Sequence, residues 1–153
     1  MGKQGINRRD FIEKSTRVGS TALAGFSILG NAQAAPSKKL KIGVVGIGGR
    51  GSGAIRDVLS CNAHGENVEV VALGDYFLSQ MTDRIPSIKK AVDKEGFPGF
   101  NVTPDRCYSG WDAYKKVIDS DVDIVFLTTP PQFRPQHMEY AVNAGKHVFS
   151  EKP

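Results

Sequence analysis

The chain has 153 residues, 40% of them hydrophobic and 24% charged, with a net charge of +4. That length suits one domain with at most an appendage, and the composition is that of a globular chain without repeats or low-complexity tracts. The excess charge sits at the start, where residues 1–34 hold Lys3, Arg8, Arg9, Lys14 and Arg17 against Asp10 and Glu13, so the remainder is nearly neutral. No basic stripe with interleaved aromatics is left over, which argues against a nucleic-acid partner.

The first element reads as a leader spanning residues 1–34. Arg8 and Arg9 adjoin, a mild apolar stretch runs from Val18 to Leu29, and Ala32-Gln33-Ala34 gives the small-x-small pattern cut by a signal peptidase. The apolar stretch is short of the roughly 20 residues needed to span a bilayer. Paired arginines with weak hydrophobicity point to the twin-arginine translocation machinery, hence to a periplasmic or other extracytoplasmic location. Because that route carries folded proteins, commonly after cofactor loading, it predicts a cofactor-binding domain downstream. Residues 35–39 read as a polar linker, and 40–153 as the domain.

Leu40 to Val45 is a compact, β-branched run, as in a parallel strand buried on both faces. It enters Gly46-Ile47-Gly48-Gly49-Arg50-Gly51, which satisfies G-x-G-x-x-G, and a helix with apolar Ala54, Ile55, Val58 and Leu59 follows. Gly46 allows a sharp turn, Gly48 lets backbone approach a pyrophosphate, and Gly51 allows close helix–strand packing. The helix N-terminus adds unpaired N–H groups for the anion. The pattern is weak alone and much stronger between a strand and a helix.

Val68 to Leu73 is the next strand, closed by Gly74-Asp75-Tyr76, with Asp75 lying 24 residues past Gly51. That is near the spacing of about 20 expected for the carboxylate that holds an adenosine ribose. Such a carboxylate repels a 2′-phosphate and favours NAD, while Arg50 next to the phosphates leaves NADP open. Asp75 is also a candidate N-cap for the helix starting near Phe77, and the two roles are compatible.

Phe77 to Glu95 reads as a helix that Pro86 kinks or splits. Phe97 to Pro104 reads as a loop, Arg106 to Tyr108 as a short edge strand, and Trp111 to Ile118 as an amphipathic helix. Val122 to Leu127 is a buried strand ending in Thr128-Thr129-Pro130, at the end where open parallel sheets bind ligands. Pro135 starts a helix through Ala144, Gly145 stops it, and Lys146 to Ser150 is a fifth strand. His137 and His147 read as packing residues rather than catalysts. Cys61 and Cys107 have no metal-ligand spacing and read as two unrelated, partly buried thiols. The fold class is therefore α/β, a Rossmann-type doubly wound parallel sheet.

Taken together, GVVGIGGRG, GDYF, DVDIVFLTTPP and AGKHVFSEKP resemble the N-terminal domain of the glucose–fructose oxidoreductase, inositol dehydrogenase and MocA (Gfo/Idh/MocA) family, from Lys39 to Pro153. The resemblance implies a dinucleotide cofactor, NAD or NADP, cradled by Gly46, Ile47, Gly48, Gly49, Arg50 and Gly51 with Asp75 on the ribose. Thr128, Thr129 and Pro130 would line the nicotinamide side. Glu151-Lys152-Pro153 matches the family's EKP motif, whose lysine lies beside nicotinamide and substrate, making Lys152 the one catalytic candidate. It further implies hydride transfer with a sugar or polyol, or an NAD-dependent glycosidase of the same family, or, as a bare fragment, nucleotide binding without turnover. A second domain with the substrate pocket and the oligomer contacts would follow in the full-length form. The chain is therefore expected to be the N-terminal portion of a longer enzyme, inactive by itself and incomplete in its own sheet.

Overall fold

The computed structural model describes residues 38–152. The expected leader (1–34) and the linker positions 35–37 lie outside the described residues. Five strands, β1 (Leu40–Val45), β2 (Val68–Asp75), β3 (Cys107–Ser109), β4 (Ile124–Leu127) and β5 (His147–Ser150), alternate with four α-helices. These are α1 (Gly49–Ser60), α2 (Leu78–Glu95), α3 (Ala113–Asp119) and α4 (Arg134–Asn143). All strand pairs are parallel, in the order β3-β2-β1-β4-β5. The order steps outward from β1 to β3 and then reverses to β4 and β5, which puts a topological switch point between β1 and β4.

Each face of the sheet carries its own core. Ile42, Val44, Val68, Val70, Leu73 and Phe126 pack under Ile55 and Leu59 of α1 and Met81, Ile88 and Val92 of α2. Val45, Val71, Ala72, Val125 and Leu127 pack under Tyr114, Val117 and Ile118 of α3 and Ala141 of α4. With both faces covered, the central strands carry apolar runs, residues 42–45, 70–73 and 124–127, instead of alternation. The β1–β2 register slips between Ile42 and Gly43, skipping Val71, so Val70 and Leu73 can serve one core while Val71 and Ala72 serve the other.

Several elements differ from expectation. Pro86 neither splits nor ends its helix: α2 runs through it. Pro86 lies on the exposed face, so water can satisfy the carbonyl that loses its donor. The expected loop at Phe97–Pro104 runs alongside β2, with a parallel bridge Val70–Phe100, Val70 N–H to Gly99 O at 2.8 Å and Asn101 N–H to Val70 O at 2.9 Å. Trp111 precedes its helix, which starts at Ala113, and Val122 is buried ahead of β4. His147 is exposed, because β5 is an edge strand. Cys61 and Cys107 are both free thiols, and partial burial pushes the Cys107 thiol pKa up.

The placement of Pro86 gives a direct test. Pro86→Ala restores a helical N–H without touching a core, and urea unfolding should show the chain more stable by on the order of 1–3 kcal/mol. Equal or lower stability would mean that the helix depends on the proline.

A dinucleotide cleft at the carboxyl edge of the sheet

The carboxyl ends of β1, β2 and β4 open into a cavity of about 610 Å³ at the switch point. β1 leaves through Gly46, whose φ of +90° only glycine adopts without strain. A Cβ there would lie 2.9 Å from the Thr129 nitrogen, so the turn is also pressed against the β4 exit. Thr128 fixes that contact from the other side: its hydroxyl donates to the Val45 carbonyl at 3.0 Å and to the Gly46 carbonyl.

The remaining glycines divide into two kinds. At Gly51 a Cβ would stand 1.9 Å from the Gly46 carbonyl oxygen, so only glycine lets α1 sit down on the strand end. At Gly48 and Gly49 a Cβ would meet nothing within 4 Å, and both residues line the cavity. That open space lies in front of the first turn of α1, where the N–H groups of Gly49, Arg50 and Gly51 have no intrahelical acceptor. The helix end therefore offers donors and partial positive charge to an anion in a space that side chains would fill.

Asp75 faces this turn. Its Oδ2 accepts the Ile47 N–H at 2.8 Å and its Oδ1 the Phe77 N–H at 3.1 Å, while the residue also lines the cavity. Each oxygen keeps a lone pair for a further donor such as a ribose hydroxyl. The cap of α2 is Phe77, without a side-chain cap bond, so Asp75 stabilises the turn before the helix instead of capping it. Beyond it Phe77, Tyr76, Trp111 and Phe133 follow one another edge to face at 4.9, 5.8 and 6.0 Å between ring centroids. Tyr76, Phe77 and Trp111 are each more than half exposed, leaving flat apolar surface beside the carboxylate.

At the other end, Glu151 leaves β5 and accepts from Arg50 Nε at 2.7 Å across the mouth of the cavity. This ion pair and the Lys152 N–H hold the Glu151 carboxyl below its usual range. Of the residues singled out from sequence, Gly46, Gly48, Gly49, Arg50, Asp75, Thr128, Thr129, Pro130 and Glu151 line one cavity. Ile47 and Gly51 support it from behind, through the Asp75 hydrogen bond and the close packing. Lys152 is exposed at the rim: its backbone N–H donates to Glu151 Oε1 at 3.1 Å, and its side chain does not line the cavity.

The comparisons with known proteins agree with this geometry. The model of an oxidoreductase family with an NAD-binding Rossmann fold, Gfo/Idh/MocA, matches residues 40–153. The chain belongs to that family. Among curated relatives, a glycosyl hydrolase family 109 protein of Shewanella pealeana is 27% identical over 97% of this chain and 34% of its own length. A second such protein, from Bacteroides fragilis, is 31% identical over 74% of this chain and 22% of its own length. Among solved structures, scyllo-inositol dehydrogenase from Lactobacillus casei, with bound NAD(H) and scyllo-inositol, has 28% identity and a TM-score of 0.52 over 76% of this chain and 28% of that one. The chain thus spans about a third or less of the length of these relatives.

For a Gfo/Idh/MocA NAD-binding domain, the donor set fits the cofactor: a cradle free of side chains at Gly48 and Gly49, a helix N-terminus for phosphates, and a carboxylate for a ribose. His137 is the packing residue expected, whereas the aromatic wall has no counterpart in the sequence reading. That imidazole is buried, stacks on Tyr114 at 4.1 Å, and lies 3.4 Å from the Thr129 hydroxyl. Aromatic residues scattered over the three segments that follow β2, β3 and β4 carry no periodic signal that could have announced this wall.

Burial holds the His137 pKa below its ordinary value of 6.5, so the unfolded chain takes up the proton first. The stability from neutral His137 is complete above about pH 6.5 and is lost as pH falls through the folded value. Unfolding free energy measured between pH 5 and 7.5 should fall on acidification, and less steeply in His137→Gln. Parallel pH profiles for the two proteins would contradict this.

Proposed function

We propose that the chain binds NAD across this cleft as the cofactor domain of an exported oxidoreductase acting on a sugar or polyol. The supporting observation is the juxtaposition at one sheet edge of the empty space before Gly48 and Gly49 with the Asp75 carboxylate. The free amides of α1 would take the diphosphate, Asp75 the adenosine ribose, and the Tyr76–Trp111 wall the adenine. Thr129, Pro130 and the Glu151-Lys152 segment would flank the nicotinamide half. Bound NAD supplies the hydride acceptor. The role of Lys152 would be to orient the substrate hydroxyl and move its proton, from a position at the cavity rim.

Export is proposed on Arg8-Arg9, the short apolar stretch and Ala32-Gln33-Ala34. Similarity to glycosyl hydrolase family 109 proteins favours a second reading, an NAD-dependent glycosidase that regenerates its cofactor. The two differ in a complete enzyme carrying this domain. A dehydrogenase accumulates NADH with a free sugar, whereas a glycosidase releases nitrophenol from a nitrophenyl glycoside without net NADH.

Titration of the 153-residue chain with NAD by calorimetry tests the shared premise. Saturable binding is expected, abolished in Gly48→Val with the unfolding midpoint little changed, because a Cβ at that position stands in open space on the phosphate side. Undiminished binding in Gly48→Val, or none in the parent at millimolar NAD, would refute it.

A further inference from the structure

Arg134, the first residue of α4, is only 8% exposed, yet none of its hydrogen bonds goes to a carboxylate. Its guanidinium donates to three main-chain carbonyls: Nε to Thr129 at 2.8 Å, and Nη1 to Glu151 and, at 2.6 Å, to Lys152. A buried cation spent on carbonyls is costly unless the geometry is well satisfied. Here it joins two chain segments just where the sheet stops joining them.

The register explains the need. β4 and β5 pair Leu127 with Ser150, and the last ladder bond runs from Glu151 N–H to Leu127 O at 3.1 Å. One step further, the donor to Thr129 O would come from position 153, where proline carries no N–H. β4 has meanwhile turned away through Pro130-Pro131 into α4. The fork of Arg134 supplies the missing donor to Thr129 and, from the same plane, grips the carbonyls of residues 151 and 152. A single lysine ammonium has no comparable fork.

We propose that Arg134 is a positioning residue for the nicotinamide half of the cleft. By tying the Glu151-Lys152 backbone to the Thr129 carbonyl, it sets where the exposed Lys152 side chain starts and holds Glu151 opposite Arg50. This rests on the NAD-binding reading above. The amides of the diphosphate cradle and the Asp75 carboxylate lie on other elements, and only the Arg50 side chain meets the clasp, through Glu151.

The test separates the two halves of the ligand by titrating the full 153-residue chain with NAD and with ADP. ADP reaches only the glycine turn, Asp75 and the aromatic wall; NAD also engages the 151–152 segment. The parent should bind NAD more tightly than ADP. In Arg134→Met, and equally in Arg134→Lys, ADP affinity should stay within about twofold while the preference for NAD shrinks by about tenfold or disappears. If the methionine variant does not fold, the lysine variant decides, since it keeps the charge and most of the stem. Equal losses for both ligands, or an intact NAD preference, would overturn the positioning role. A parent that binds NAD and ADP alike would overturn it too, while the diphosphate reading survives. Failure of the parent to bind either ligand removes the underlying NAD reading, and this inference with it.

Discussion

The cleft depends on how closely α1 can approach the end of β1. A Cβ at position 51 would stand 1.9 Å from the Gly46 oxygen, well inside any tolerable contact. Because glycine occupies both positions, the helix axis meets the strand end directly and its free amides face the switch point. Thr128 then binds the Val45 and Gly46 carbonyls from β4, so the turn is held by its neighbour as well as by its own dihedrals. An added methyl at residue 51 would have to move the helix, and overpacking of this kind costs about 1–3 kcal/mol or more.

This constraint couples the site to the rest of the sheet. Asp75, at the end of β2, accepts the Ile47 amide, and Gly46 N–H donates to Gly74 O at 2.7 Å, so the β1 and β2 exits are tied together. On the other side Arg134 ties the β4 exit to that of β5. Each strand end around the cleft is thus fastened to its neighbour by a side chain or a turn amide. Such a preformed rim lowers the ordering cost of binding a long, flexible dinucleotide. In the Arg50–Glu151 pair the arginine is the exposed partner and the carboxylate the covered one, so the arginine is the group freer to exchange partners.

The fold was legible because its elements announce themselves locally. β-branched apolar runs marked β1, β2 and β4, and Gly145, with φ +71°, ended α4 where expected. The placement of the glycine turn and of Asp75 beside it was legible for the same reason: it follows from backbone geometry, which a short pattern specifies. What escaped were contacts between distant segments. Nothing local distinguishes Arg134 from a solvated arginine at a helix start, since its partners lie 5, 17 and 18 residues away. The Tyr114–His137 stack arises only once α3 and α4 share one face of the sheet. Pro86 does not split α2, because the cost of a helical proline depends on whether water reaches the carbonyl that lacks its donor. For Lys152 the position at the rim was legible, but the direction of its side chain was not.

Whether main-chain amides of the turn after β1 receive the diphosphate is read from amide shifts in a ¹⁵N-labelled chain titrated with NAD. The largest, saturating changes are expected on Gly48, Gly49, Arg50 and Gly51, with smaller ones at Ile47 and Phe77 through Asp75. Binding that leaves those four amides unmoved, with its shifts gathered on another edge of the sheet, would contradict it.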